Sequence, residues 1–184
     1  MKRIQRKAAA ENAALSWTSV CYDVAEILVV SLICVVVFFT MLFRIVGVKG
    51  DSMKDTLYEG DRLILCPILT SPRQGDIVVI NRYTEEPLIK RVIGVAGDTV
   101  EIDETAHRVL LNGEPLDEPY VHYPTPAYDM TEAVAVPEGY LLVMGDHRND
   151  SHDSRAADIG LVSVEDIVGR AVFRIWPLGR IGSV

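Results

Sequence analysis

The sequence predicts an all-β domain carried behind a single N-terminal transmembrane helix. From Ile27 to Phe43 the chain is uncharged and almost wholly apolar over 17 residues. With its flanks, that run approaches the roughly 20 residues that cross a bilayer. Beyond it, short β-branched runs alternate with turn residues and helical periodicity fades. A length of 184 residues, 49% hydrophobic, leaves room for one ordinary domain and a short appendage.

Residues 1–26 open with Lys2, Arg3, Arg6 and Lys7 ahead of an Ala-rich stretch that suits a helix. Tyr22, Ala25, Ile45 and Val46 extend the apolar run, with Arg44 snorkelling at one end, so the anchor is expected over 27–46. Phe43-Arg44-Ile45-Val46 offers no small-x-small exit for cleavage, which favours a retained anchor over a removed leader. The basic start places residues 1–26 in the cytoplasm and residues 47–184 on the outer side of the cytoplasmic membrane. A formal net charge of -8 argues against a nucleic-acid partner. Cys21, Cys34 and Cys66 show neither disulfide nor metal-ligand spacing, and Cys66 is expected to be free and buried.

Strands are expected at Arg62–Leu65, Asp76–Ile80, Leu88–Val95, Thr99–Ile102, Val109–Leu111, Tyr140–Val143 and Ile167–Ile175. Asn112-Gly113 reads as a two-residue hairpin turn. Gly75-Asp76 and Gly97-Asp98 open strands, and a short helical turn is expected near Ser163 to Ile167. Residues 115–137, with five prolines, read as a long irregular connection. The result is a domain of about 135 residues with its own core.

Three stretches carry chemistry. Ser52 stands in Gly50-Asp51-Ser52-Met53, just after the apolar run, where glycine permits an unusual backbone and the Ser52 N–H can face a carbonyl oxygen. Serine needs a base. His107, His122, His147 and His152 show no pattern that ties them to it. Lys90 lies in the strand-like run Leu88 to Ile93, on the face of Leu88 and Val92, while Arg91 takes the other face. An amine on an apolar face is desolvated, which favours its neutral, proton-accepting form. The third stretch, Met144 to Arg155, is dense in polar groups suited to orienting the lysine. Arg148 interrupts any calcium-loop pattern among Asp146, His147, Asp150, His152 and Asp153.

Together the three stretches resemble type I signal peptidases, membrane-bound Ser-Lys endopeptidases, in their short Gram-positive-type form. The residues are Gly50-Asp51-Ser52-Met53 with Thr56-Leu57, Gly60-Asp61-Arg62-Leu63, and Lys90-Arg91-Val92-Ile93-Gly94 followed by Gly97-Asp98. The last motif is Gly145-Asp146-x-Arg148-x-x-Ser151-x-Asp153-Ser154-Arg155. The resemblance covers about residues 27–177.

It implies a core of coiled antiparallel β-sheets, Ser52 as nucleophile, Lys90 as general base and the Ser52 N–H in the oxyanion hole. Ser151 would hydrogen-bond the lysine. Asp146 would pair with Arg91 and Asp153 with Arg155, and Met53 would contact substrate in pockets for small residues at -1 and -3. No cofactor or metal is implied. The implied partners are signal peptides of exported preproteins, the lipid bilayer and the protein translocation machinery. Four places depart from the pattern: Asp55 replaces a usual proline, Gly50 cannot supply the serine hydroxyl some relatives use as a second oxyanion donor, His147 replaces a common asparagine, and Asn149-Asp150 varies the usual polar pair.

Two other classes are weighed. A self-cleaving Ser-Lys regulator would carry a DNA-binding segment, whereas this chain has an anchor and an acidic balance. A non-catalytic assembly factor on the same fold should have lost the nucleophile or the base, and both Ser52 and Lys90 are present.

Overall fold

The computed structural model describes residues 2–66, 72–81 and 86–184. Its first unit is one helix, α1 (Lys2–Leu42). Within it, Ser19–Thr40 forms a 22-residue stretch of mean hydropathy 2.4, long enough to cross a membrane. Apolar side chains point outward on all sides, as they do where lipid is the solvent. Two of its hydroxyls, on Ser31 and Thr40, are satisfied within the helix. Ser31 Oγ donates to the Leu28 carbonyl (3.0 Å) and Thr40 Oγ1 to that of Val36 (2.9 Å).

The helix stops earlier than expected. Ile45 and Val46 do not extend it, because Arg44–Gly47 forms strand β1 and pairs residue for residue with β2 (Arg62–Cys66). That ladder uses the backbone groups a continuing helix would consume. It also directs Val46 onto the core while Ile45 faces out, the alternation of a strand.

The second unit, Phe43–Val184, is built from antiparallel strands. Its elements after β2 are β3 (Ile77–Ile80), β4 (Leu88–Gly94), β5 (Thr99–Asp103), β6 (Arg108–Leu111), β7 (Glu114–Pro115) and β8 (Val134–Ala135). Then come β9 (Tyr140–Met144), β10 (Val162–Ser163), β11 (Ile167–Trp176) and β12 (Gly182–Ser183). One sheet runs β1-β2-β11-β3-β4-β9-β10, with β12 also on β11; a smaller one runs β7-β6-β5-β8. Register shifts interrupt β11 against β2 and β3, and β4 against β9. Such bulges sharpen twist and let the sheets coil.

Sequence chemistry explains the local choices. Asn112 and Gly113 both take positive φ (54° and 82°), the requirement of a two-residue hairpin turn, and they join β6 to β7. Ser163 caps a single 3-10 turn at Val164–Asp166. Of the span 115–137 expected to be irregular, residues 116–133 contain no strand, in keeping with their prolines, but Pro115 ends β7 and Val134–Ala135 pairs with β5 as β8. Cys66 ends β2 half-exposed rather than buried, because it lies at the outer end of its strand.

Core side chains gather in three clusters. Val48, Met53, Leu57, Leu63 and Ile77 anchor the first, Ile93, Val100, Val109 and Met144 the second, and Val78, Val92, Leu141 and Val143 the third. Strand β4 contributes to all three through Ile89, Ile93 and Val92. It is buried along nearly its whole length. At its end, a Cβ on Gly94 would stand 2.6 Å from Val100 Cγ2 and 3.3 Å from Val136 Cγ2. Gly94→Ala is therefore expected to destabilise the domain by about 1–3 kcal/mol through overpacking, measured by denaturant unfolding against wild type. An unchanged midpoint would contradict this packing.

Candidate active site

The turn that carries Ser52 is pulled inward at two points. Met53 and Leu57 are buried in the first core cluster, and Leu57 N–H and Thr56 N–H both donate to the Met53 carbonyl (2.7 and 3.0 Å). Gly50 enters the turn at φ +72°, a conformation that disfavours a side chain. Ser52 is left half-buried on the outside of the turn. The Ser52 N–H finds no protein acceptor among the described residues.

Strand β4 brings the second group. Lys90 pairs with Val78 of β3 and is only 2% exposed. Its Nζ donates to Ser52 Oγ at 2.7 Å across 38 residues of sequence. Burial pushes the Lys90 amine down to about 8 from the usual 10.5. Arg155 adds to that depression, while the Asp153, Asp146 and Asp150 carboxylates oppose it.

The next side chain on β4 ties the two segments together. Arg91 Nε donates to Asp146 Oδ1 (2.8 Å) and Nη2 to Oδ2 (2.6 Å), a bidentate fork. Thr56 Oγ1 donates to the same Asp146 Oδ2 at 2.5 Å. Asp146 thus joins the serine turn, the lysine strand and the loop after β9. The Tyr120 ring covers the Arg91 guanidinium at 3.9 Å.

The loop after β9 is fixed from within. Asp153 accepts from the Gly145 N–H (2.9 Å), from Ser151 Oγ (2.6 Å) and from Arg155 Nε and Nη2 (both 2.8 Å). Burial would raise the Asp153 carboxyl, but the Arg155 guanidinium and these hydrogen bonds hold it below the ordinary range. Arg148, fully buried, donates to the Gly145 carbonyl (3.0 Å) and forks onto Glu118, where Nη1 reaches Oε2 at 2.8 Å. Gly145 leaves no space for a side chain: a Cβ would lie 2.2 Å from Ser151 Oγ and 2.4 Å from the Ser52 carbonyl.

Of the residues singled out in the sequence, Ser52, Lys90, Arg91 and Asp146 come together in one cluster, with Ser151, Asp153 and Arg155 in the adjoining loop. One contact differs. The Ser151 hydroxyl donates to Asp153, and the Lys90 Nζ is hydrogen-bonded to Ser52 rather than to Ser151. Met53, named as a substrate contact, is 2% exposed and packs in the core beneath the turn. Thr56, His147, Glu118 and Tyr120 were not assigned roles beforehand. Among them, Thr56 is marked in the sequence by its place in the serine motif and His147 by standing where asparagine is common.

A half-buried serine hydroxyl in hydrogen-bond contact with a buried lysine on an antiparallel β scaffold sets a hydroxyl beside an amine of lowered pKa, a pairing chemically suited to proton transfer. The model of one family, signal peptidase, peptidase S26, matches residues 21–176. A signal peptidase I from Leptolyngbya laminosa is 42% identical over 149 residues, 74% of this chain and 70% of that protein. A signal peptidase IB from Staphylococcus aureus is 34% identical over 176 residues, 81% of this chain and 90% of that protein. A crystal structure of a signal peptidase I from Enterococcus faecalis aligns with a TM-score of 0.47 and 26% identity, over 57% of this chain and all of that one. The chain belongs to the signal peptidase family of serine proteases.

Lys90 also has a stability consequence. Below pH about 8 the folded protein must carry a proton on a desolvated amine that the unfolded chain carries freely up to 10.5. The cost is full below about 8 and fades as pH rises towards 10.5. Lys90→Met should therefore be more stable than wild type at pH 7, by up to about 3 kcal/mol, with the gap narrowing as pH rises above about 8. Denaturant unfolding of the detergent-solubilised chain at several pH values measures it, and equal stability at pH 7 would refute the buried-amine reading.

Proposed function

We propose that this protein removes signal peptides from exported preproteins with Ser52 as nucleophile and Lys90 as general base. The observation that carries the reading is the 2.7 Å contact between Ser52 Oγ and the nearly inaccessible Lys90 Nζ. Neutral Lys90 accepts the hydroxyl proton as Ser52 attacks the scissile carbonyl. The tetrahedral oxyanion is held by the Ser52 N–H, which has no competing protein acceptor among the described residues. The Lys90 ammonium then gives its proton to the leaving amine. An acyl-enzyme on Ser52 remains, and Lys90 next deprotonates the water that releases the signal peptide.

Asp146, Arg91, Asp153, Arg155 and Ser151 hold this geometry without touching the scissile bond. Family membership supports a preference for small residues at -1 and -3. The apolar stretch Ser19–Thr40 anchors the chain, and Lys2, Arg3, Arg6 and Lys7 keep the N-terminus in the cytoplasm. The β domain then works on the outer face of the cytoplasmic membrane, where preproteins leave the translocation machinery.

Ser52→Ala and Lys90→Ala should each lower preprotein processing by at least about a thousandfold in detergent-solubilised full-length protein. Retained processing in either variant would sink the assignment. The pH dependence has a definite sign. Protonated Lys90 cannot accept a proton, so kcat/KM should fall tenfold per pH unit on the acid side of a midpoint at about 8. A rate that stays level from pH 8 down to pH 6 would rule Lys90 out as the base.

A further inference from the structure

His147 makes two contacts with the serine turn, on consecutive residues. Its backbone N–H donates to the Ser52 carbonyl at 3.0 Å. Its ring Nδ1 lies 3.2 Å from the Asp51 carbonyl. A carbonyl oxygen can only accept, so this contact fixes the tautomer with the proton on Nδ1. The ring is held in place from outside: the Tyr123 ring packs on it at 4.4 Å between centroids, and its side chain is only 14% exposed. Asp150, 3.9 Å from Nδ1, is the charged group facing it.

The Asp51 carbonyl and the Ser52 N–H are the two ends of one trans peptide unit. In such a unit they point in opposite directions within a rigid plane. A donor that fixes the carbonyl end therefore fixes the direction of the N–H end, and it polarises that N–H as a stronger donor. We propose that His147 is a positioning residue that aims the Ser52 N–H at the developing oxyanion by holding the far end of its peptide plane. The inference rests on the reading of Ser52 as nucleophile. It also gives a use to a residue that departs from the asparagine the resembled motif commonly carries. An asparagine Nδ2 is as many bonds from the backbone as a histidine Nδ1, so either side chain reaches the Asp51 carbonyl with an N–H.

The test compares His147→Leu with His147→Asn in detergent-solubilised full-length protein, beside Ser52→Ala. Both His147 variants are uncharged and keep the backbone bond to Ser52, so they isolate the ring donor. His147→Leu should lose about 10- to 100-fold in kcat while KM moves by less than about threefold, because the oxyanion exists only after attack. The acid limb of its pH profile should stay where wild type has it, since Lys90 is untouched. Affinity for a peptide aldehyde, which forms an oxyanion on serine, should drop in parallel with kcat, while affinity for the cleaved signal peptide should not. His147→Asn should recover kcat to within about threefold of wild type.

Equal kcat in His147→Leu and wild type overturns the proposal, as does equal impairment in the Leu and Asn variants. A loss shared by kcat, KM and thermal stability alike would mark a structural role and overturns it too. If Ser52→Ala keeps activity, the nucleophile reading itself falls; if only the His147 arm fails, that reading stands.

Discussion

A single amine taken out of water governs the construction of this domain. Lys90 sits on a strand buried on both faces, where its charged form is costly, and it meets Ser52 in hydrogen-bond contact. In the proposed reaction the same burial is what suits it to act as base, because an amine depressed to about 8 gives up its proton nearer neutral pH than an ordinary lysine does. Two opposed influences set that value. Desolvation drives it down, and the carboxylate of Asp153 limits the fall. Asp153 is itself saturated by Arg155, Ser151 and the Gly145 N–H, so it moderates the lysine without forming a salt bridge that would restore the full charge.

Holding Lys90 against Ser52 requires three stretches distant in sequence to keep one geometry, and buried ion pairs supply that constraint. Arg91, Asp146, Arg148, Asp153 and Arg155 are all buried, and each is paired. Such pairs add little net stability over apolar packing, but losing one partner costs about 3–5 kcal/mol, which penalises any alternative arrangement. Asp146 is the junction, since it accepts from strand β4 through Arg91 and from the serine turn through Thr56. The connection after β7 closes the assembly. Glu118 forks onto Arg148, Tyr120 lies on Arg91, and the Pro126 carbonyl accepts from Arg155 Nη1 at 3.0 Å.

Periodicity made the strands legible. Short β-branched and aliphatic runs between turn residues mark β2, β3, β4 and β9, and Asn112-Gly113 marks a hairpin because both residues accept the positive φ its turn needs. The helix end was less legible, since Ile45 and Val46 are as apolar as the anchor and only their pairing with β2 makes them a strand. Ser52 and Lys90 stood out through the motifs around them, but their proximity belongs to the sheet order, which no local pattern states. Glu118 and Tyr120 left no signal. They lie in an irregular proline-rich stretch, and their contacts depend on how that stretch folds back over β4.

The missing proline at Asp55 raises a question of rigidity that the tertiary contacts answer. A proline stiffens a turn from within by fixing one φ angle. Here the stiffness is imposed from outside. Met53 and Leu57 are locked in the core, Thr56 is held by Asp146 through its hydroxyl, and the Thr56 carbonyl accepts from Arg174 Nη1 at 2.9 Å. Arg174 is in turn braced by Asp61, which also takes Arg180 at 2.8 Å, so the C-terminal segment is bound to the turn. On the other flank the loop after β9 holds the Ser52 carbonyl. Anchored at both ends and in the middle, the turn is held by contacts that do not pass through position 55. Asp55 is exposed and takes one hydrogen bond, from the Tyr58 hydroxyl at 3.4 Å, whereas Thr56 beside it is fixed through its hydroxyl by the loop after β9 and through its carbonyl by β11.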